Sequence, residues 1–417
     1  MIVEFRVKNF RSIRAEQRLS LVADSDSTYS ESHLLNTESS TTPNLLTSAV
    51  IYGPNASGKS NLINALAFMR RIVATSATQI REGQEFNCPT FKLDAESKNQ
   101  PSEFELTFIE QGIRYQYGFS LTSERVIEEW LLVYKTAKPQ MWFNRHYNSE
   151  SEKDEYEFGS HLTGQRTLWQ ESTRSNALFL SKAVDLNSER LRPIFLWIVE
   201  KLIIFSAGTQ PIFEFTIDYA QTENGKAELL RFLNAADLSI ANLSFENKKM
   251  KQFGIQPENG KPTIQTLMEI ERPMPLFLHE AEDGTANFEI QDESTGTQRL
   301  FAFAGPILDV LKNGRVLIVD ELDNSLHTLM VTFLISQFHS TVNNSQKAQL
   351  IFTTHDTSLL DKEIFRRDQI WLAKKDAAQA TVLYPLTDFS PRKKEALGRG
   401  YLMGRYAALP FITDFKL

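Results

Sequence analysis

Ile51-Tyr-Gly-Pro-Asn-Ala-Ser-Gly-Lys-Ser-Asn61 decides the reading, because Gly53, Gly58, Lys59 and Ser60 complete the pattern G-x-x-x-x-G-K-[ST] of a phosphate-binding loop. The glycines let backbone N–H groups turn inward around phosphate oxygens, the lysine ammonium reaches the β and γ oxygens, and the serine hydroxyl ligates Mg²⁺. Pro54, Asn55, Ala56, Ser57 and Asn61 fill out the cradle. Such a loop must follow a strand and open a helix. Thr47-Ser-Ala-Val-Ile-Tyr52 is a short β-branched and aromatic run, and Asn61-Leu-Ile-Asn-Ala-Leu-Ala-Phe-Met69 repeats apolar residues at helical spacing. The competing reading is an ordinary glycine-containing turn before a core helix.

At 417 residues and 41% hydrophobic, the chain has room for two or three domains. No apolar run is long enough to span a bilayer, and Met1-Ile-Val-Glu-Phe-Arg-Val7 alternates like a strand rather than a cleavable signal, so a cytoplasmic location without a membrane partner is expected. Cys88 is the only cysteine, which excludes an intrachain disulfide and a cysteine-rich zinc site; without an activating base it reads as an inert thiol. A net charge of -7 argues against a surface built to coat DNA or RNA. Local basic clusters remain at Arg366-Arg367, Lys374-Lys375 and Arg392-Lys393-Lys394, and short charge runs of this kind usually form solvated faces.

The first 150 residues read as strand-rich. Residues 2–7 and 18–22 precede the strand of the phosphate loop, and a polar stretch from Asp24 to Pro43 reads as a long surface loop, a candidate lid over the nucleotide. Segments 103–109, 113–121 and 127–134 alternate as an antiparallel meander. Residues 151–285 read as an inserted helical or mixed subdomain, with helices over 176–183, 188–201 and 227–236 and a candidate strand over 263–270. A strand over 286–290 opens the last region, 286–417. No heptad pattern is sustained, which excludes a long coiled-coil arm.

That last region carries the complement of the phosphate loop. Val316-Leu-Ile-Val319 is a continuous apolar run delivering Asp320 and Glu321 at its C-terminal edge, as a central parallel strand does. Asp320 is placed to hold the Mg²⁺ shell and Glu321 to act as general base on water. Gln349-Leu-Ile-Phe-Thr-Thr354 runs into His355, whose near-neutral pKa suits it to donate to a γ-phosphate or to orient the water. Between the two halves, Glu293-Ser-Thr-Gly-Thr-Gln-Arg-Leu300 opens an apolar helix with hydroxyls and a glycine, either as a simple cap or as an anion site.

This order of phosphate loop, Ser-Thr-Gly-Thr-Gln, acidic strand and strand plus histidine resembles the ABC-type ATPase head of SMC-related proteins. More narrowly it resembles bacterial SMC-related ATPases of the RloA-like, abortive-infection group. The opening Glu4 to Ser12, the Asn55 to Asn61 loop, Phe91-Lys-Leu-Asp94, Asp320 to His327 and Gly404 to Phe411 carry that likeness. The resemblance implies an α/β fold: an ABC-type P-loop ATPase head with an antiparallel β lobe and an inserted, mostly helical subdomain. It implies ATP and Mg²⁺ as cofactors, with Thr295, Gly296, Thr297 and Gln298 as the signature, carrying threonines where the commoner form has serine and a second glycine. In such heads the signature contacts the γ-phosphate bound by a second copy. Homodimerisation on ATP is therefore implied, with Asp323 and Asn324 on the loop that crosses the interface and larger assemblies left open. Gln79 and Gln84 lie in the region of the ABC glutamine loop, and neither is assigned to it.

Family members are linked to phage defence and are commonly encoded with an effector, so the expected function is an ATPase that regulates such a partner. A DNA-repair or recombination clamp of the SMC-related kind is the alternative, disfavoured by the acidic balance and the missing coiled coil. A fused nuclease has too little chain after His355.

Overall fold

The computed structural model describes residues 1–38, 42–206, 213–258, 261–391 and 395–409, of which 250–270 by backbone alone. The Arg392-Lys393-Lys394 cluster and the last two residues of the Gly404–Phe411 stretch lie outside the described residues. By contacts the chain divides into two units: Met1–Thr209 with Val310–Asn324 and Val331–Leu417, and Gln210–Asp309 with Ser325–Met330.

The first unit holds two main sheets. In the antiparallel one, β1 (Ile2–Lys8) and β2 (Gln17–Ser20) continue a meander of β6 (Ser102–Glu110), β7 (Ile113–Leu121), β8 (Val126–Tyr134), β9 (Gln140–Asn148) and β10 (Lys153–Phe158), in the order β10-β9-β8-β7-β6-β1-β2. Phe104, Leu106, Phe108, Tyr117 and Phe119 are fully buried, since alternate residues of a strand share one face. The other sheet has the order β11-β15-β16-β5-β17-β18: β11 (Leu202–Phe205), β15 (Val316–Val319), β16 (Gln349–Thr353), β5 (Ser48–Tyr52), β17 (Ile370–Lys375) and β18 (Thr381–Pro385). All pairs are parallel except β17 with β18. Every residue of β5, β15 and β16 is buried, as expected of parallel strands covered on both faces.

Helix α2 (Lys59–Thr75) follows β5 and buries Leu62, Ile63, Leu66, Met69 and Val73, residues three and four apart. Its Phe68 packs against Phe10 and Phe104 of the antiparallel lobe at centroid distances of 5.4 and 5.0 Å. One core cluster therefore joins both sheets around α2, and each buried aromatic contributes about 2–3 kcal/mol of apolar burial. Gln349, fully buried, ties the sheets by polar contacts as well: its amide accepts from Ile2 N at 2.6 Å and donates to Ile2 O and Leu46 O.

The stretch from Asp24 to Pro43 is expected to be a candidate lid; its residues 24–33 are tied to the body of the first unit. It contains α1 (Ser30–His33) and β3 (Leu34–Leu35), which pairs with β4 (Leu45–Leu46). His33 packs against His339, with the rings tilted by 32° and their centroids 3.8 Å apart. Arg366, only 3% exposed, reaches the Asp24 carboxylate and the carbonyls of Asp26 and Thr28, while Arg367 pairs with Asp26. Those two arginines are thus internal struts, not a free basic face, and Lys374 lies over the Tyr384 ring.

Residues 151–209 also belong to the first unit, so the division by contacts falls near residue 210 and not at 150/151. There α3 (Arg166–Ser172), α4 (Phe179–Asp185) and α5 (Arg192–Leu196) pack on the antiparallel lobe. The physical anchor is Glu129 of β8. It is fully buried and accepts from Tyr117 Oη and from the N–H groups of Phe179 and Leu180, while Arg145 holds the carbonyl of Ala177.

The second unit contains α6 (Phe213–Tyr219), α7 (Glu223–Ala235) and the N-terminal part of α8 (Thr295–Asn313). Beside its helices it carries a three-stranded antiparallel sheet of β12 (Asn242–Glu258), β13 (Lys261–Ala281) and β14 (Gly284–Glu289). Thr222 caps α7 by accepting from Gly225 N. Further α-helices among the described residues are α9 (Thr328–His339) and α10 (Leu397–Leu402). Among the described residues no helix is long and apolar enough to cross a membrane.

Candidate functional site

Strand order brings the site together. Because β16 lies between β5 and β15, the C-terminal ends of three adjacent parallel strands deliver the phosphate loop, His355 and the Asp320-Glu321 pair to one edge. There a cavity of about 1050 Å³ is lined by Asn55, Ala56, Gly58, Lys59, Ser60, Asn61, Glu321 and His355, together with Arg11, Ser12, Pro89–Leu93, Lys375 and Gln379.

The loop's glycines are dictated by neighbours. A Cβ on Gly53 would lie 2.3 Å from Ala373 O of β17, and one on Gly58, at φ 103°, would lie 1.9 Å from Thr381 Oγ1. Pro54 and Gly53 present their carbonyls to Lys59, whose Nζ donates to them at 3.2 and 2.8 Å. The lysine is 5% exposed, and burial lowers its pKa to about 8 despite Asp320, Glu321 and Asp323 nearby. An ammonium so desolvated gains from any anion placed against it. Ser57 is buried with its carbonyl accepting from Thr381 Oγ1, and Asn61 Nδ2 donates to Ser12 Oγ at 2.6 Å.

At the acidic end, Thr353 organises both carboxylates. Its hydroxyl donates to Asp320 Oδ1 at 2.5 Å and accepts from Glu321 N at 2.7 Å. Asp320 is 5% exposed, and its Oδ2 has no hydrogen-bond partner among the described residues. A buried carboxylate oxygen left open in this way fits the donor set that Mg²⁺ takes, and Ser60 lines the cavity into which the neighbouring Glu321 faces. Glu321 has a left-handed backbone, φ 53°, and lies 3.8 Å from His355 Nε2. Burial and the Lys59 charge lower the His355 pKa, so the imidazole is held neutral and free to accept or donate. Asp323 Oδ2 accepts from His355 N at 3.2 Å, bracing the loop that carries the histidine.

Thr295, Gly296, Thr297 and Gln298 belong to the second unit. Ser294 caps α8 there, accepting from Thr297 N at 3.1 Å, and Gln298 Nε2 donates to Glu293 O at 2.8 Å. A Cβ on Gly296 would meet Ser325 O at 3.2 Å. Gln79 and Gln84 do not line the cavity; both are exposed on the turn after α2. Cys88 is partly buried, and burial pushes its thiol up to about 11.

Sequence reasoning assigned no role to Thr353, Lys375, Gln379 or Thr381. The visible signal for Thr353 was a hydroxyl at the end of a strand with an apolar middle; for the other three it was the charged run Lys374-Lys375-Asp376 opening a turn.

The family described as "AAA domain, putative AbiEii toxin, Type IV TA system" matches residues 48–361, from the root of β5 to beyond His355. The chain belongs to this family. It is accordingly an ATPase-type P-loop protein of the AAA class. Among solved structures this AAA-family chain is similar to the SMC head domain from Thermotoga maritima, with 13% identity and a TM-score of 0.41 over 92% of this chain and 98% of that one. It is also similar to an SMC head bound to the C-winged helix domain of ScpA, with 11% identity and a TM-score of 0.40 over 92% and 96% of the two chains. No curated protein sequence matches it.

Proposed function

We propose that the chain is an Mg²⁺-dependent ATPase whose nucleotide state governs pairing of two copies and, through that pairing, an effector encoded nearby in antiviral defence. The observation that carries the reading is the convergence of Lys59, Ser60, Asp320, Glu321 and His355 on one edge of one sheet. Asp320 and Ser60 would hold Mg²⁺, which would supply positive charge against the phosphate oxygens. Lys59 binds those oxygens and exchanges its two loop carbonyls for them. Glu321 takes the proton from the attacking water, and neutral His355 orients that water or donates to the γ-phosphate. Thr295 to Gln298, with Ser325 beside Gly296, form the surface that meets the nucleotide of a second copy. The toxin–antitoxin description of the family supports an effector partner.

Glu321→Gln tests the enzymatic part and the pairing together. Loss of a general base lowers turnover by about 10²–10⁴-fold while binding survives, so Glu321→Gln with ATP and Mg²⁺ should hydrolyse little and accumulate as a dimer in light scattering. Wild-type phosphate release from this variant removes Glu321 from the chemistry. A monomer under the same conditions removes the pairing of two copies.

A further inference from the structure

The cavity has a second cationic wall, supplied by the far end of the parallel sheet. Lys375 and Thr381 are the last paired residues of the β17–β18 hairpin, and Lys375 Nζ donates to Thr381 Oγ1 at 3.3 Å. The turn between them is rigid. Asp376 N donates to Ala380 O at 2.9 Å, and Asp376 Oδ1 accepts from the N–H groups of Ala378 and Ala380 at 2.9 and 2.8 Å.

Thr381 is pinned to the phosphate loop from outside. Its N–H donates to Ser12 O at 2.7 Å and its hydroxyl donates to Ser57 O at 2.9 Å. The same hydroxyl oxygen lies 2.7 Å from Ser12 Oγ, which accepts from Asn61 Nδ2. The proton count closes: Ser12 donates to Thr381, Thr381 donates to Ser57, and Asn61 and Lys375 donate to the two hydroxyl oxygens. A hydroxyl so engaged fixes the Lys375 head at the loop's flank, and the lysine lines the cavity with Lys59, Ser60 and Gln379. Burial lowers the Lys375 pKa, so its ammonium, like that of Lys59, gains from an anion.

We propose that Lys375 contacts the bound nucleotide as a second cation on the α-phosphate side, with Thr381 as its positioning residue. The inference rests on the ATP reading above. The flank is set by attachment: Thr381 reaches Ser57 and, through Ser12, Asn61, where loop and helix start present N–H groups to α and β oxygens, whereas Lys59 serves β and γ. Lys375 therefore contributes equally to ATP and ADP.

Calorimetric titration of ATP and ADP in Mg²⁺ buffer into wild type, Lys375→Met, Lys375→Arg, Thr381→Val and Lys59→Ala tests this. Lys375→Met should weaken both nucleotides by the same factor, about tenfold, as loss of one charge-assisted contact does. Lys375→Arg should restore most of the affinity, and Thr381→Val should weaken both nucleotides less than Lys375→Met. Unchanged affinity in Lys375→Met overturns the proposal, as does a loss confined to ATP. Failure of wild type to bind, or indifference to Lys59→Ala, sinks the ATP reading itself. Loss in Lys59→Ala with wild-type binding in Lys375→Met sinks only this inference.

Discussion

Thr353→Val removes one hydroxyl and leaves the shape of the side chain, which makes it the sharpest probe of the acidic edge. That hydroxyl is shared by the two carboxylate residues: it donates to Asp320 Oδ1 at 2.5 Å and accepts from Glu321 N at 2.7 Å. Glu321 stands at φ 53°, a conformation that costs a non-glycine residue about 1–2 kcal/mol, and the Thr353 bond helps to hold it there. A neutral hydrogen bond is worth about 1 kcal/mol and one to a charged group about 1.5–3 kcal/mol. At 1.36 kcal/mol per tenfold, a loss of about 1.5–3 kcal/mol from the reacting arrangement lowers kcat roughly 10- to 100-fold. KM should move little, because the loop and Lys59 are untouched. Steady-state phosphate release at saturating ATP reads the effect, with Tm measured alongside. Thr353→Ser should restore turnover, since the hydroxyl returns. A kcat for Thr353→Val within twofold of wild type refutes the reasoning. So does a change confined to KM, which would assign Thr353 to binding.

Gly58→Ala should abolish nucleotide binding and lower Tm, because its Cβ would fall 1.9 Å from Thr381 Oγ1 at a backbone φ of 103°. Adding Thr381→Ala should recover only part of the stability, as a φ strain of about 1–3 kcal/mol persists; full recovery in a thermal melt would show that contact alone matters. For pH, the sign follows from Lys59. Its pKa in the free protein is about 8, and phosphate contact raises it, so binding takes up a proton above that pH and affinity falls as pH rises through it, by up to tenfold per unit. Titrations in buffers of different ionisation enthalpy at pH 8.5 should show this uptake, and Lys59→Arg should abolish it; buffer-independent heats for wild type would contradict the lowered pKa.

The parts of the site that were legible in the sequence share one physical property: each ends a continuous apolar run. Thr47–Tyr52, Val316–Val319 and Gln349–Thr354 look like buried strands because their side chains are covered on both faces, so a lysine, an acid pair or a histidine just beyond them is marked as chemistry at a strand end. Which strands are neighbours is not written locally. That β16 separates β5 from β15 is a result of tertiary pairing, and only this order puts His355 between the other two groups. Lys375 and Thr381 escaped for a related reason. A Lys-Lys-Asp turn reads as a solvated face until pairing in the hairpin aims one lysine at the loop.

The stretch from Asp24 to Pro43 misled in the opposite direction. Its Ser, Thr and Asp content describes a loop, but the partners that tie down Asp24 and His33, which are Arg366, Asp368 and His339, lie more than 300 residues away along the chain. In the second unit, Asn242–Glu258 contains enough Lys, Asn and Gln to hide a strand whose pairing with β13 supplies the order that its alternation does not show.

Two acids adjacent in sequence end with different chemistry because the fold treats them differently. Asp320 is buried at 5% exposure with one oxygen claimed by Thr353 and the other open. Glu321, with a side chain 42% exposed, faces the cavity 3.8 Å from His355. A regular strand would send successive side chains to opposite faces, and the left-handed backbone at Glu321 breaks that alternation as the strand ends. The open, desolvated oxygen suits a cation, and the solvated carboxylate beside an imidazole held neutral suits a proton acceptor. Thr353 fixes the spacing between the two roles by bonding one residue's side chain and the next one's backbone. Under the proposed mechanism, a hydroxyl that sequence reading passes over would therefore couple metal placement to base placement, and for that reason its removal should register in kcat and not in KM.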